Sequence, residues 1–441
     1  MTKLPDRIPH NPPAFDPNEA RYWDGADLGH EVQRTFHVCA DCRMCVTYCG
    51  SFPILFNAVD KEVSAGRAHS VETLGPEVLQ EVSDHCWQCK LCFIKCPYTA
   101  DEGAPELLDF PRLMAREKAQ RARRDGIPLV DKILGEPRAV GRAGAGPGAS
   151  LANLVNANRL VRKVAEKVTG ISAEFPLPPL VSQPFSSWFG RHQPLANAGS
   201  RGEVVLFTTC YGEYNFTEVP RAAVRVLEQN GYTVIFPEDQ QCCGMPNLDG
   251  GDIEGAKRKM AANVELLMPY VRRGLPIVVP GPTCGYTMKK EWPVYLGTED
   301  AASLAAKTFD LMQLLDTLRR DKQLDQNFQQ GLGKVAYHAA CHLRAQKIAI
   351  PGARVLGKLP NTEVRIIERC SAVDGTWGMK AKYYEEGARY AQRLVSEVED
   401  AEGPELIVGD CSLAGLRLKK AGKVMIHPAE ALARGYGLSL E

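Results

Sequence analysis

The chain has 441 residues, of which 44% are hydrophobic and 24% charged, with 53 basic and 53 acidic side chains. That length supports several domains and a sizeable core, and the even charge excludes a global pull toward nucleic acid. Fifteen cysteines, an odd number at metal-ligand spacings, exclude the disulfide framework of a small secreted protein and fit a reducing cytoplasm.

Residues 1–35 read as an irregular arm. Met1 to Pro17 is polar, rich in Pro and Asn, and has no apolar core of the signal-peptide kind. No run of apolar residues is long enough to span a bilayer, so attachment to the inner face of a cell membrane would be peripheral.

Two cysteine runs follow, Cys39-Ala-Asp-Cys42-Arg-Met-Cys45-Val-Thr-Tyr-Cys49 and Cys86-Trp-Gln-Cys89-Lys-Leu-Cys92-Phe-Ile-Lys-Cys96-Pro97. Each spells C-x2-C-x2-C-x3-C. Three thiolates at such spacing wrap one cubane, and the fourth completes the other cluster, as in two-cluster ferredoxins. This pairing places one [4Fe-4S] cluster on Cys39, Cys42, Cys45 and Cys96, and a second on Cys86, Cys89, Cys92 and Cys49. A pair of zinc knuckles is the plainer alternative, but the third Cys of each run would then be surplus. Gly50 follows the first run where Pro97 follows the second, and glycine also lets the chain turn away.

The stretch between the runs is charged and helical in period at Glu77-Val-Leu-Gln-Glu-Val-Ser. Residues 36–125 therefore read as a helical two-cluster ferredoxin domain. Its last helix, Glu106 to Arg124, carries Arg112, Arg116, Lys118, Arg121, Arg123 and Arg124 and is a candidate docking surface. Residues 126–200 read as a linker with a flexible break at 141–148 and an amphipathic helix over Leu151 to Val168. The helix would dock on a protein partner or a membrane surface.

From residue 201 the texture becomes α/β. Strands are expected at 203–210, 232–236 and 276–279, running toward Cys210, Cys242-Cys243-Gly244 and Cys284. The pattern then repeats. Strands at 334–341, 364–367 and 406–411 run toward Cys341, Cys370 and Cys411, at offsets of 131, 128 and 127 residues from Cys210, Cys242 and Cys284. Matched offsets point to an internal duplication: residues 201–300, a connecting helix within 301–333, and residues 334–441. The fold class is α+β and multidomain, a helical ferredoxin domain followed by a duplicated α/β pair.

Ligands in open α/β sheets bind beyond the carboxyl ends of strands, where these cysteines fall. The first repeat offers four thiolates, Cys210, Cys242, Cys243 and Cys284. The second offers three, Cys341, Cys370 and Cys411, with His338 and His342 as further candidate ligands; for either histidine a capping or core role competes with ligation.

The two ferredoxin-type runs, followed by Cys242-Cys243-Gly244 with Pro282-Thr-Cys284 and then by His338-x-x-Cys341-His342, Cys370, Gly375-Thr-Trp-Gly378 and Asp410-Cys411, carry a resemblance. The chain resembles the iron–sulfur subunit of anaerobic glycerol-3-phosphate dehydrogenase and, more broadly, the heterodisulfide reductase type of iron–sulfur oxidoreductase, with two so-called CCG domains. Three positions depart from the family pattern. Thr287 and Ala414 stand where C-x-x-C would close, and Ser371 stands where a second doublet cysteine would. The resemblance implies a further iron–sulfur cluster in the first CCG domain. In the degenerate second domain it leaves an incomplete, His-assisted or absent cluster as the alternatives.

The expected function is electron transfer between a flavoprotein dehydrogenase and a quinone or other redox acceptor. The chain has no G-x-G-x-x-G after a strand and no P-loop, so hydride chemistry would belong to the partner. No catalytic residue is assigned and no nucleic-acid partner is expected. The alternative, implied by the resemblance to heterodisulfide reductase, is reduction of a disulfide at a CCG-domain cluster.

Overall fold

The computed structural model describes residues 7–67, 71–373, 375–400 and 403–441; the first six residues of the expected arm lie outside them. The chain forms two compact units, Met1–Pro128 with Asn247–Ile253, and Leu129–Pro246 with Glu254–Glu441.

The first unit is helical, as the periodicity requires. Its main helices are Gly25–Cys42, Ser51–Ser64, Pro76–Asp84, Leu91–Lys95 and Phe110–Asp125. The arm expected to be irregular through residue 35 is helical from Gly25 onward. The Asp24 carboxylate starts that helix by accepting the N–H groups of Ala26 at 2.8 Å and Asp27 at 3.1 Å. Phe36, Phe52 and Phe110 form the aromatic core, with ring centroids 4.7 Å apart for Phe52–Phe110 and 6.2 Å for Phe36–Phe110.

The basic Phe110–Asp125 helix leaves Arg123 and Arg124 exposed, while others of its cations are engaged within the unit. Arg116 is fully buried, its guanidinium on the carbonyl oxygens of Tyr22 and Arg21 and on the Asp27 carboxylate. Arg121 bonds Asp84 at 2.6 Å, and Lys118 donates to the Cys86 carbonyl at 3.2 Å. Sequence reading counted charges and could not show that Arg116 is buried.

The second unit contains two four-stranded parallel sheets. β1 (Gly202–Leu206), β2 (Tyr232–Ile235), β3 (Ile277–Val279) and β4 (Thr308–Asp310) lie in the order β2-β1-β3-β4. β5 (Gly333–His338), β6 (Thr362–Ile367), β7 (Leu406–Gly409) and β8 (Met425–Ile426) repeat it as β6-β5-β7-β8. The central strands are apolar runs because helices cover both faces: Val204, Val205, Leu206, Ile277, Val278 and Val279 are all fully buried. The duplicated α/β pair is therefore present, and each sheet gains a short fourth strand not legible in the sequence. Pro351 opens the helix Pro351–Leu356.

The expected amphipathic helix is two helices, Ala149–Ala157 and Arg159–Thr169. Asn158 separates them, and its side chain caps the second by accepting from Leu160 and Val161. Their aliphatic side chains face outward: Leu151, Leu154, Leu160, Val164 and Val168 are 66–76% exposed. Among the described residues, no helix is long and apolar enough to cross a membrane.

Candidate metal centres

The first cysteine run ends one helix and turns into the next. Cys39 and Cys42 lie in the last turn of Gly25–Cys42, and Arg43 closes it in the left-handed region (φ 53°), its N–H on the Cys39 carbonyl at 2.9 Å. Cys45 lies in the following turn, and Cys49 is buried just before Ser51–Ser64. In the second run Gln88 (φ 54°) and Lys90 (φ 62°) are both left-handed, so the backbone curls between Cys86, Cys89 and Cys92. Cys96 caps the short helix Leu91–Lys95.

The thiols gather across the runs as well as within them. Burial raises the Cys39 thiol's hold on its proton, and the nearby Cys45, Cys96 and Cys42 raise it further. Cys45 is pushed up to about 12 by burial, then by Cys96 and Cys42. Cys49 is raised by burial and by Cys86, and its sulfur meets the N–H groups of Ser51 and Phe52. Cys92 is raised by burial, then by Cys86, Cys45, Cys49 and Cys39. Packed thiols that resist ionising one another fit a multivalent cationic centre, since ligation demands thiolates.

Sequence reasoning missed the surroundings of Cys86. The Gln88 side-chain N–H donates to Cys86 Sγ at 3.3 Å and to the Pro111 carbonyl at 2.9 Å, and Lys90 donates to the Gln88 amide oxygen at 2.9 Å. Lys90 is only 4% exposed. The only signal was a Gln and a Lys inside the cysteine run.

In the first repeat, Cys210 opens the helix Cys210–Tyr214 after β1, Cys242 and Cys243 follow β2, and Cys284 lies in Pro282–Tyr286 after β3. The sulfurs of Cys210 and Cys242 are 4.0 Å apart. Cys243 is linked by hydrogen bonds to both Cys242 and Cys284. Those bonds and burial raise Cys210 and Cys243 and leave Cys242 as the thiol that ionises most readily. Thr209, just before Cys210, has φ 70° and ψ 156°, a conformation costly for any residue but glycine and held by its surroundings. Gly244 has φ 93°, and a Cβ there would stand 3.1 Å from Met260 and 3.3 Å from the Ala256 carbonyl. The positive φ and the close pass of the Ile253–Arg272 helix both favour glycine there. Thr287 is fully buried and donates to the Thr283 carbonyl at 2.7 Å. A single turn of π-helix over Thr287–Glu291 follows.

In the second repeat, Cys341 opens Cys341–Ala345 after β5, Cys370 follows β6, and Cys411 caps Ser412–Lys420 after β7. His342 meets the Thr283 hydroxyl at 3.0 Å through Nδ1 and stacks on Tyr286 at 5.1 Å. It joins the two repeats.

Sequence comparison agrees with this architecture. Residues 38–101 match the 4Fe-4S dicluster domain, and residues 204–289 and 335–419 each match the cysteine-rich domain. Lactate utilization protein A of Geobacillus kaustophilus strain HTA426 is 30% identical over 244 residues, covering 52% of this chain and 98% of that protein. The chain belongs to this family of iron–sulfur proteins. Another member, a subunit of the anaerobic glycerol-3-phosphate dehydrogenase of Escherichia coli strain K12, is 24% identical over 300 residues, covering 65% of this chain and 72% of that one. As a member of the iron–sulfur family with two cysteine-rich domains, the chain binds iron–sulfur clusters, and its homology to that dehydrogenase component supports a role in electron transfer.

Proposed function

We propose that the chain is an electron-transfer subunit that accepts electrons from a flavoprotein dehydrogenase and passes them to a quinone or another redox acceptor. The crossed grouping of the ferredoxin-type cysteines carries this reading. Cys96 stands with Cys39, Cys42 and Cys45, and Cys49 with Cys86 and Cys92. It supports one [4Fe-4S] cluster on Cys39, Cys42, Cys45 and Cys96 and a second on Cys86, Cys89, Cys92 and Cys49. The four thiols at the ends of β1, β2 and β3 support a third on Cys210, Cys242, Cys243 and Cys284. When bound, such clusters supply one-electron chemistry. The chain's own part is to hold the thiolates, donate N–H bonds to sulfur and shut out water. The relative named as one subunit of a dehydrogenase supports a separate dehydrogenase partner.

The acceptor side is a membrane surface in this reading. The exposed aliphatic face of Ala149–Ala157 and Arg159–Thr169 is flanked by exposed Arg159, Lys163 and Lys167. Glu166, the one acid between residues 149 and 169, is engaged by the Ala173 N–H at 2.5 Å. An aliphatic stripe edged with cations fits an anionic bilayer. Co-sedimentation with anionic vesicles should fall when Leu154 and Val164 are both made Asn, and equal sedimentation of the two proteins would refute this contact.

Iron and acid-labile sulfide per chain, followed by EPR on protein purified without oxygen, tests the core of the reading. At least about twelve irons are expected from three four-iron clusters, with one signal lost in Cys243→Ser. About eight irons and no such signal would overturn the third cluster. Clusters that accept no electron from any flavoprotein or chemical reductant would overturn the electron-transfer role.

A second reading has a specific observation behind it. A cavity of about 410 Å³ reaches Cys210 and is lined by Arg138, Arg142, Ser186, Thr209, Glu213 and Tyr214, among others. It has room for a small polar substrate, so reduction of a disulfide beside Cys210 is the alternative. Absence of turnover by the reduced protein across a range of disulfides would exclude it.

A further inference from the structure

The second repeat has lost the doublet cysteine, yet its donors remain in place. Cys341, Cys370 and Cys411 follow the neighbouring strands β5, β6 and β7, as the first repeat's cysteines follow β1, β2 and β3. His338 closes β5, in register with Ile367 on one side and Gly409 on the other. It is 3% exposed. Its Nε2 lies 2.8 Å from the carbonyl oxygen of Arg369. Against a carbonyl that nitrogen must carry the proton, so the ring reaches from the end of β5 to the backbone leading into Cys370.

The other ring nitrogen then holds a lone pair. His338 Nδ1 is buried and has no hydrogen-bond partner among the described residues. One N–H fixed on a backbone carbonyl, with a bare lone pair on the other nitrogen, is how a histidine is prepared to bind a metal. Two sulfurs of this repeat already accept backbone N–H groups. Cys370 Sγ accepts the Ala372 N–H at 3.2 Å, and Cys411 meets the N–H groups of Leu413 and Ala414.

We propose that the second repeat holds an iron–sulfur cluster of its own, ligated by Cys341, Cys370, Cys411 and the Nδ1 of His338. It is separate from the three clusters of the electron-transfer reading and stands or falls independently of them. An imidazole in place of a thiolate makes the ligand set less negative, so this centre would be reduced at a higher potential than its all-cysteine neighbours.

The test uses the full chain, purified without oxygen, with iron, sulfide and zinc measured per chain. Wild type should carry, beyond the irons of its other centres, about four more at this site. His338→Gln and Cys370→Ser should each lose these while the signal abolished by Cys243→Ser persists. Because His338→Gln could disturb β5, pulsed EPR of the wild type supplies a second readout: the high-potential signal should show coupling to an imidazole nitrogen. No nitrogen coupling, or an iron content unchanged in Cys370→Ser, overturns the proposal. One zinc per chain lost in Cys370→Ser also overturns it, in favour of a structural ion.

Discussion

The indole N–H of Trp292 donates to the carbonyl oxygen of Cys243 at 2.9 Å, with both residues buried. The bond ties the helix after the Thr287–Glu291 π-turn to the middle of the Cys242-Cys243-Gly244 turn. Trp292→Phe keeps most of the ring but strands a buried carbonyl, which should cost about 1–3 kcal/mol. Denaturant unfolding measures that loss. Iron at the first repeat should be released sooner under chelator, and unchanged release would show that the turn does not depend on the indole.

Gln88 should tune a reduction potential. Its N–H bond to Cys86 Sγ stabilises the extra negative charge of a reduced cluster. Gln88→Leu removes about 0.5–1.5 kcal/mol of such stabilisation, which for one electron is a fall of about 20–60 mV. An EPR-monitored redox titration reads it. The signal of the cluster on Cys39, Cys42, Cys45 and Cys96 should move far less.

Arg116 is the buried charge on which the helical unit depends. Replacing it with Leu leaves the Tyr22, Arg21 and Asp24 carbonyls without this partner, and each buried acceptor so stranded costs about 1–3 kcal/mol. Arg116→Lys should recover only part of this, because an ammonium cannot reproduce the planar fork. Full rescue by lysine in thermal unfolding would refute the geometric argument.

His427 gives the second unit an acid-side weakness. Burial lowers its pKa from the ordinary 6.5 to about 4, while Nε2 donates to the Pro280 carbonyl at 3.0 Å. Between those values the unfolded chain binds a proton that the folded one refuses. Stability from this group is full above pH 6.5 and is lost as pH falls toward 4, by about 3 kcal/mol. Asp310 and Asp410, raised by burial to about 6 and about 7, act in the opposite direction. The comparison is therefore between wild type and His427→Gln: the variant should lose less stability between pH 7 and pH 5. Parallel pH profiles would refute the assignment.

The sequence made the chemistry easier to see than the packing. Cysteine spacing is set by ligand geometry and survives in the one-dimensional pattern, so both runs and the repeated strand-to-cysteine scheme were readable. β4 and β8 were not, because strands of three and two residues are too short to show a period. The split at Asn158 was hidden because both helices continue one apolar stripe, and only the capping side chain marks the break. Arg116 was miscounted as surface because composition cannot tell a solvated cation from one satisfied by carbonyls. His338 and His342 looked equivalent in sequence. Their hydrogen-bond partners, which separate them, come from residues 31 and 59 positions away.

Among the described residues, no cysteine of either repeat lies within a strand; each sits just past a strand's end. The ladder between β5 and β6 runs six residue pairs without calling on any of them. Scaffold and payload can therefore diverge separately. A duplicated half can exchange Cys for Ser, Thr or Ala and still fold, so it keeps its family likeness after its chemistry has changed. For proteins built this way, shared architecture is a poor guide to how many metal centres a given copy carries, and the loops after each strand have to be read one residue at a time.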